Sequence, residues 1–297
     1  MRILITGVSG FVGQRLVRHL LARGDDVAGT YVGDRPELSG VDLQEIDLAA
    51  VEPMRALIGR VSPDAVVHLA ALSHVGASWE RMGEYFQVNV LGTENLMGAA
   101  DGVPVLVASS AEVYGQVPAG EQPIDESRVP RPANPYAMTK AAAERLALAR
   151  GATVVRMFNL VGPGQAPGFA LPSFAAQLAE IAAGRHEPVI AVGNLEARRD
   201  FTHVDDAAEG LALSALSGAA GSIYNLGSGT AFSIREMLDL LVEVSGVEAT
   251  VELDPERMRP IDLPLLQATS DRLRALGWKP HRGVRRALED LWDTVRQ

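Results

Sequence analysis

Tyr136 and Lys140 are the residues whose types and spacing point most directly to chemistry. They lie in Asn134-Pro135-Tyr136-Ala137-Met138-Thr139-Lys140, and Lys140 is one of only two lysines among 27 basic residues. In a chain that otherwise uses arginine, a retained lysine marks a position suited to a compact ammonium of adjustable pKa rather than a forked guanidinium. A spacing of four on a helix puts both side chains on one face. A cation beside a phenol favours the phenolate, so the pair would make an acid–base unit near neutral pH. The alternative from these residues alone is a solvated pair on an alanine-rich helix.

A second chemical signal is Thr6-Gly7-Val8-Ser9-Gly10-Phe11-Val12-Gly13, between a short apolar run and an amphipathic one. Glycines at this place allow a tight turn, close approach of backbone to a pyrophosphate, and close helix–strand packing, with the helix N-terminus facing the negative charge. The spacing is Gly-x-x-Gly-x-x-Gly, and its strand–turn–helix context predicts dinucleotide binding. Selection between NAD(H) and NADP(H) stays open. An acid is expected at the end of the second strand for NAD and a basic neighbour for NADP. Tyr31 stands at that place, while Asp34 and Arg35 offer opposite preferences. Asp47 is read either as an adenine contact, together with Leu48, or as the N-cap of the following helix.

These residues need elements to position them. The first half alternates strand and helix signals, as in a parallel sheet covered by helices. Strands are expected at Ile3–Thr6, Val27–Val32, 65–70, Val103–Ser109 and Thr153–Phe158. Helices are expected at Phe11–Arg23, Val51–Arg60, Glu84–Ala100 and Tyr136–Arg150, the last opened by Pro135. After Asn159 comes a Gly/Pro-rich loop at 162–168. Shorter pieces follow: helices near Ser173–Ala183, Asp205–Leu216, Ser233–Val244 and Val284–Val295, and strands at Val189–Val192 and Ser222–Asn225. The fold expected is α/β: a doubly wound Rossmann domain over 1–160 and a smaller α/β substrate lobe over 161–297. A segment of about 189–225 is expected to return to the first domain.

Composition narrows the classes. At 297 residues, with 47% hydrophobic and 22% charged residues, the chain is long and apolar enough for a large core. A formal net charge of -10 argues against nucleic-acid and anionic-membrane partners. The chain has no cysteine, which excludes disulfides, thiolate nucleophiles and cysteine–zinc sites and fits a cytoplasmic protein. The apolar run at 3–5 is too short for a leader or a membrane span. No metal-ligand cluster is visible. His68, His74 and His203 are scattered and read as hydrogen-bonded structural residues.

Five motifs in order carry a resemblance. They are Gly7-x-x-Gly10-x-x-Gly13, Leu69-Ala70-Ala71, Asn89-Val90-x-Gly92-Thr93, Ser109-Ser110-Ala111-Glu112-Val113-Tyr114-Gly115 and Tyr136-x-x-x-Lys140. Together they resemble the extended short-chain dehydrogenase/reductases, the nucleotide-sugar epimerases, dehydratases and reductases. The resemblance implies NAD(P) binding along Gly7, Gly10, Phe11, Val12, Gly13 and Leu69-Ala70-Ala71. It gives Tyr136 the role of acid–base residue, and Lys140 that of holding the nicotinamide ribose and lowering the Tyr136 pKa. Ser110 would hydrogen-bond the same sugar oxygen. Tyr114 is read as a packed phenol and Asn89 as structural. A homodimer through the helices Glu84–Ala100 and Tyr136–Arg150 is also implied.

The second half is similar to the GDP-mannose branch of that family. The relevant stretches are 156–165, Gly193-Asn194-Leu195 with Arg199-Asp200-Phe201-Thr202-His203-Val204, and Asp254-Pro255-x-Arg257-Met258-Arg259-Pro260. The resemblance implies a GDP-sugar as small-molecule substrate, with Asn159, Arg199 and Arg259 as substrate contacts. It implies reduction of a C4 ketone on a GDP-4-keto-6-deoxy-hexose. GDP-mannose 4,6-dehydratase and nucleotide-sugar 4-epimerase are the alternatives, and a non-catalytic NAD(P) sensor is a minor one. Glu112 occupies the dehydratase acid's place. Against dehydration stand Ser110 where those enzymes carry threonine, Ala111 where they carry serine, and Pro172 where they carry arginine.

Overall fold

The computed structural model describes residues 1–258 and 263–296. Its strands, in chain order, are β1 (Arg2–Thr6), β2 (Asp26–Tyr31), β3 (Val41–Glu45), β4 (Ala65–His68), β5 (Val105–Ser110), β6 (Thr153–Met157) and β7 (Asn159–Val161). They continue with β8 (Val189–Val192), β9 (Arg198–His203), β10 (Ile223–Leu226), β11 (Ala231–Ser233), β12 (Thr250–Leu253) and β13 (Leu265–Leu266). Among the described residues, seven of them form a parallel sheet in the order β10-β6-β5-β4-β1-β2-β3. This is the expected doubly wound fold. The order reverses between β1 and β4, which opens a crevice at their carboxyl ends.

The inner strands are buried on both faces, so they read as continuous apolar runs such as Ile3-Leu4-Ile5 and Val66-Val67. Helices Phe11–Ala22 and Val204–Ser217 cover one face, where Leu16, Val17 and Leu20 share a core with Ala207, Ala208 and Leu211. On the other face Met54, Leu57, Leu96 and Ala147 pack beneath the sheet.

The short second-half strands β7, β9, β11, β12 and β13 were not expected, and in the first half β3 and one helix also depart from the sequence reading. β3 was not expected, because Val41–Glu45 is a half-exposed edge strand with acidic outward residues rather than an apolar run. The helix read as Glu84–Ala100 is a helical turn at Met82–Tyr85, a π-helical segment at Phe86–Leu91 and a helix at Gly92–Ala99. The wider turn buries the Asn89 side chain, whose amide pairs with the Leu72 backbone in both directions, at 2.8 and 3.0 Å. Such insertions often mark functional sites.

The second half builds its own core from Leu171, Phe174, Leu178, Ile190, Met237, Leu241, Leu288 and Trp292. The returning segment is narrower than 189–225. β8 pairs with β12, and β9 pairs with β7, β11 and β13. Within 189–225, the helix from Val204 and β10 lie on the main sheet. β8 alternates buried and half-buried residues, a pattern that suits a small lobe as well as a main-sheet edge. Among the described residues, no helix is long and apolar enough to cross a membrane.

Candidate active site

The crevice between β1 and β4 is lined with backbone. Gly7 has φ +76°, and a Cβ there would stand 2.8 Å from the Ala70 nitrogen; a Cβ on Gly13 would stand 2.2 Å from Gly7 O. Both positions therefore require glycine. The helix starting at Phe11 carries no side-chain cap and no acid in its first turn, so its first N–H groups are available to a pyrophosphate. The Ala70 N–H donates to Thr6 Oγ1 at 3.2 Å, which fixes Leu69-Ala70-Ala71 beside the glycine turn. These features fit a dinucleotide. Phe11 and Val12 are half-buried at the start of that helix, and Asp34 and Arg35 are exposed at the end of β2.

Asp47 is not the cap of the next helix, whose N-cap is Ala50; its carboxylate instead accepts the Ala49 N–H at 2.9 Å in a local turn. The Leu48 side chain is buried, and a Cβ on Gly92 would stand 2.9 Å from it.

The structure sets the Ser110 side chain beside Tyr136, where its hydroxyl favours the phenolate. Ser110 ends β5, and its Oγ accepts the Glu112 N–H at 3.2 Å, which leaves the hydroxyl proton to be donated elsewhere. Tyr136 opens the helix Pro135–Ala149, capped by Asn134, whose Oδ1 accepts the Ala137 N–H at 2.8 Å. The Asn134 amide also donates to Glu112 Oε2 at 2.8 Å. On its other side, the Tyr136 N–H donates to Ser78 Oγ at 3.2 Å, and the Tyr85 ring stands edge-on at 6.5 Å.

Burial pushes the Tyr136 phenol above its ordinary pKa, the Ser110 hydroxyl pulls it back, and the nearby Glu112 and Tyr85 raise it further. The expected lowering by Lys140 is not what the chain's own groups produce, because Lys140 is not among the charges acting on the phenol. Lys140 is itself buried. Burial lowers its pKa to about 8, and Glu144, one turn further on, works against that shift.

Behind these residues lies a buried polar network. Glu144 accepts a forked pair from Arg156, with Nε to Oε1 at 3.0 Å and Nη2 to Oε2 at 2.7 Å, and also accepts Ser109 Oγ. Arg156 stacks on the Tyr114 ring at 4.8 Å and donates to its hydroxyl at 3.1 Å. That hydroxyl donates to Asn225 on β10 at 2.6 Å, so Tyr114 is a packed, hydrogen-bonded phenol. His68 is equally enclosed: Nδ1 pairs with Thr6 Oγ1 at 2.7 Å and Nε2 with Thr93 Oγ1 at 3.1 Å. Thr93 gives its own proton to Asn89 O, so His68 carries its proton on Nε2. Burial, helped by the Lys140 charge, lowers the His68 pKa to about 3, and the ring stays neutral.

A cavity of about 440 Å³ lies between the two lobes, with Asn159 and Arg199 in its lining beside Asn194, Phe201 and Arg257. Arg199 is almost fully buried, and its Nη1 donates to Leu263 O at 2.6 Å. Arg259 lies outside the described residues. Ser110, Tyr136 and Lys140 are not part of the lining. The loop after β4 links the two regions, since His74, Val75 and Gly76 line the cavity and Ser78 holds Tyr136.

Asn134, Ser78, Tyr85, Glu144 and Arg156 were not picked out from the sequence. Two signals were present for them: asparagine before proline is an N-cap signature, and Lys140 and Glu144 are spaced four apart on a helix. Ser78 and Tyr85 carry no local signal.

Known proteins bear on this geometry. The chain is 36% identical to the GDP-6-deoxy-D-mannose reductase of Pseudomonas aeruginosa, with 98% of this chain and 95% of that protein covered. The solved structure of RMD from Pseudomonas aeruginosa complexed with NADPH matches with a TM-score of 0.88 at 34% identity, over 99% of this chain and 98% of that one. The UDP-glucose 4-epimerase of Thermus thermophilus, solved in complex with NAD, matches with a TM-score of 0.90 at 32% identity, over 100% and 99% of the two chains. The profile of the NAD dependent epimerase/dehydratase family covers residues 3–227, and the chain, an extended short-chain dehydrogenase/reductase, belongs to that family.

Proposed function

We propose that this enzyme reduces the C4 ketone of a GDP-4-keto-6-deoxy-hexose with NADPH or NADH, giving GDP-rhamnose or its C4 epimer. The observation that carries the reading is the buried Tyr136 phenol beside Ser110, held in its acid form by burial. A ketone reduction needs a proton donor at the developing alkoxide, and a phenol whose pKa is raised stays protonated at neutral pH. The 36% identity to a GDP-6-deoxy-D-mannose reductase over nearly the whole chain supports the substrate class.

Bound NAD(P)H would supply a hydride for the C4 carbon. Tyr136 gives its phenolic proton to the C4 oxygen and regains one from solvent. Ser110 donates to the same oxygen, and the Lys140 ammonium lowers the energy of the negative charge developing there, the directed electrostatics that dominate many active sites. Gly7, Gly10, Phe11, Val12, Gly13 and Leu69-Ala70-Ala71 hold the dinucleotide; Asn159 and Arg199 hold the nucleotide sugar, and a guanidinium fork suits a diphosphate. Glu112, tethered by Asn134, orients a sugar hydroxyl.

The test mixes protein with GDP-4-keto-6-deoxymannose and either NADPH or NADH and follows cofactor absorbance. Oxidation of one cofactor is expected. If neither is oxidised while GDP-mannose alone is converted to its 4-keto-6-deoxy product, the dehydratase reading replaces this one. We further propose that the protein is cytoplasmic, in keeping with its lack of cysteine, and works as a homodimer. The dimer reading rests on exposed Met82, Phe86, Leu91 and Met138 along the helices at 82–99 and 135–149.

A further inference from the structure

His74 stands between the helix that carries Tyr136 and the cavity, and its ring is engaged on two sides. Nδ1 accepts the Ala77 N–H at 3.1 Å, which places the ring proton on Nε2; that N–H donates to Gly168 O at 3.0 Å. The ring fits between two glycines. A Cβ on Gly76 would come within 3.1 Å of Cε1, and one on Gly168 within 3.2 Å of Cδ2. Phe169 meets the ring edge-on at 6.0 Å.

The backbone of the same residue faces the chemistry. The Tyr85 hydroxyl donates to His74 O at 2.6 Å, and the Tyr85 ring packs on Tyr136. His74 therefore ties two loops that both line the cavity, one carrying Val75 and Gly76 and the other Gln165, Pro167, Gly168 and Phe169. The far end of the second loop is held separately, by Arg15 Nη2 donating to Pro163 O at 2.9 Å. Between these anchors, Gln165 Nε2 donates locally to Leu160 O at 3.0 Å.

We propose that His74 is a positioning residue that clasps the 164–169 loop and so fixes the cavity wall against which substrate binds. It acts without touching the reacting atoms. That the cavity holds a nucleotide sugar rests on the function proposed above; the clasp itself does not.

Two variants divide the ring. In His74→Asn, Oδ1 replaces the Nδ1 acceptor for Ala77, but the side chain is too short to reach Gly168. In His74→Gln, Nε2 can still reach Gly168. The ring is solvent-exposed, so a modest effect is expected. The Asn variant should speed amide hydrogen exchange in 164–170 by about 3- to 10-fold and raise KM for the nucleotide sugar by a similar factor. Exchange at 160–163, held by Arg15, and kcat should stay within about twofold. His74→Gln should restore both quantities, and Gly168→Ala, which crowds the ring from the other side, should move them as Asn does.

Unchanged exchange in His74→Asn overturns the clasp, and so do equal losses in the Asn and Gln variants. Faster exchange with an unmoved KM overturns the positioning role. If exchange responds as expected but the wild-type protein turns over no GDP-keto-sugar, the clasp stands and the proposed function falls.

Discussion

The Asn134 side chain caps the helix that carries Tyr136 and Lys140, and the same amide donates to Glu112 Oε2 at 2.8 Å. Because the Glu112 N–H rests on Ser110 Oγ, one residue couples the position of the helix bearing Tyr136 to the turn that presents Ser110. The cap and the carboxylate tether use different atoms of the amide, so substitution can separate them.

Asn134→Ala should lose both functions, at a cost of about 1 kcal/mol in stability from the cap and about a tenfold drop in kcat. Asn134→Asp keeps an acceptor for the Ala137 N–H but sets a second anion against Glu112. It should unfold near the wild-type urea midpoint and still lose turnover about tenfold. Wild-type turnover in the Asp variant would remove Glu112 from the active arrangement.

The proposed acid–base role of Tyr136 and Lys140 makes a pH prediction. Reduction needs the Tyr136 phenol protonated, and its raised pKa keeps it so through the neutral range. Lys140, lowered by burial to about 8, is the group that titrates first as pH rises. The rate of ketone reduction should therefore fall above about pH 8, when the ammonium is lost. Stability moves the other way. Between about 8 and the ordinary 10.5 the unfolded chain binds a proton that the folded chain has released, so stability rises with pH across that window. Lys140→Met should flatten both profiles and reduce kcat/KM by about 10²-fold or more, whereas Tyr136→Phe should lose about 10²- to 10⁴-fold and still bind cofactor. A Tyr136→Phe variant with near wild-type turnover would sink the catalytic assignment. The measurements are initial rates and urea midpoints from pH 7 to 11.

The glycine turn, the Tyr136-x-x-x-Lys140 pair and the strands of the main sheet other than the edge strand β3 were legible because each is specified by a few neighbouring residues. Gly7 and Gly13 advertise a backbone that admits no Cβ, and β1 and β4 are unbroken apolar runs. What the sequence hides is contact at a distance. Asn134 finds Glu112 twenty-two positions away, Glu144 finds Arg156 on the neighbouring strand, and Ser78 reaches Tyr136 from a loop without periodicity. The π-helical segment at Phe86–Leu91 was invisible for a related reason: Asn89 is turned inward by its bonds to Leu72, not by a local propensity.

The Glu144–Arg156 pair is a large structural liability if broken. Both side chains are almost wholly buried, and the guanidinium forks onto the carboxylate. Burial alone would lower the Arg156 pKa, but the Glu144 hydrogen bonds and charge outweigh it and raise the value. Removing one partner strands a charge in the interior, at a cost of about 3–5 kcal/mol. Glu144→Leu and Arg156→Met should each lower stability by that order in urea denaturation. The double variant should lose clearly less than the two single losses combined, because neither charge is left unpaired. Additive losses would mean that the two charges do not depend on each other.

The exposed apolar residues make the last prediction. Met82, Phe86 and Leu91 project from the segment at 82–91, and Met138 from the helix packed beside it, with exposures of 43%, 39%, 57% and 43%. Large apolar side chains grouped on adjacent helices lose free energy to water unless another surface covers them, and a second copy offers the same face in return. Met138 lies two residues after Tyr136, so a contact there would also brace the helix that carries Tyr136. Analytical ultracentrifugation at micromolar concentration should give twice the chain mass of 31.6 kDa. Phe86→Glu combined with Met138→Glu should give a folded monomer with reduced turnover, because two carboxylates on each copy would face an apolar partner surface with no compensating charge. A wild-type protein that sediments as a monomer would overturn the dimer, and an unchanged dimer in the double variant would place the contact elsewhere.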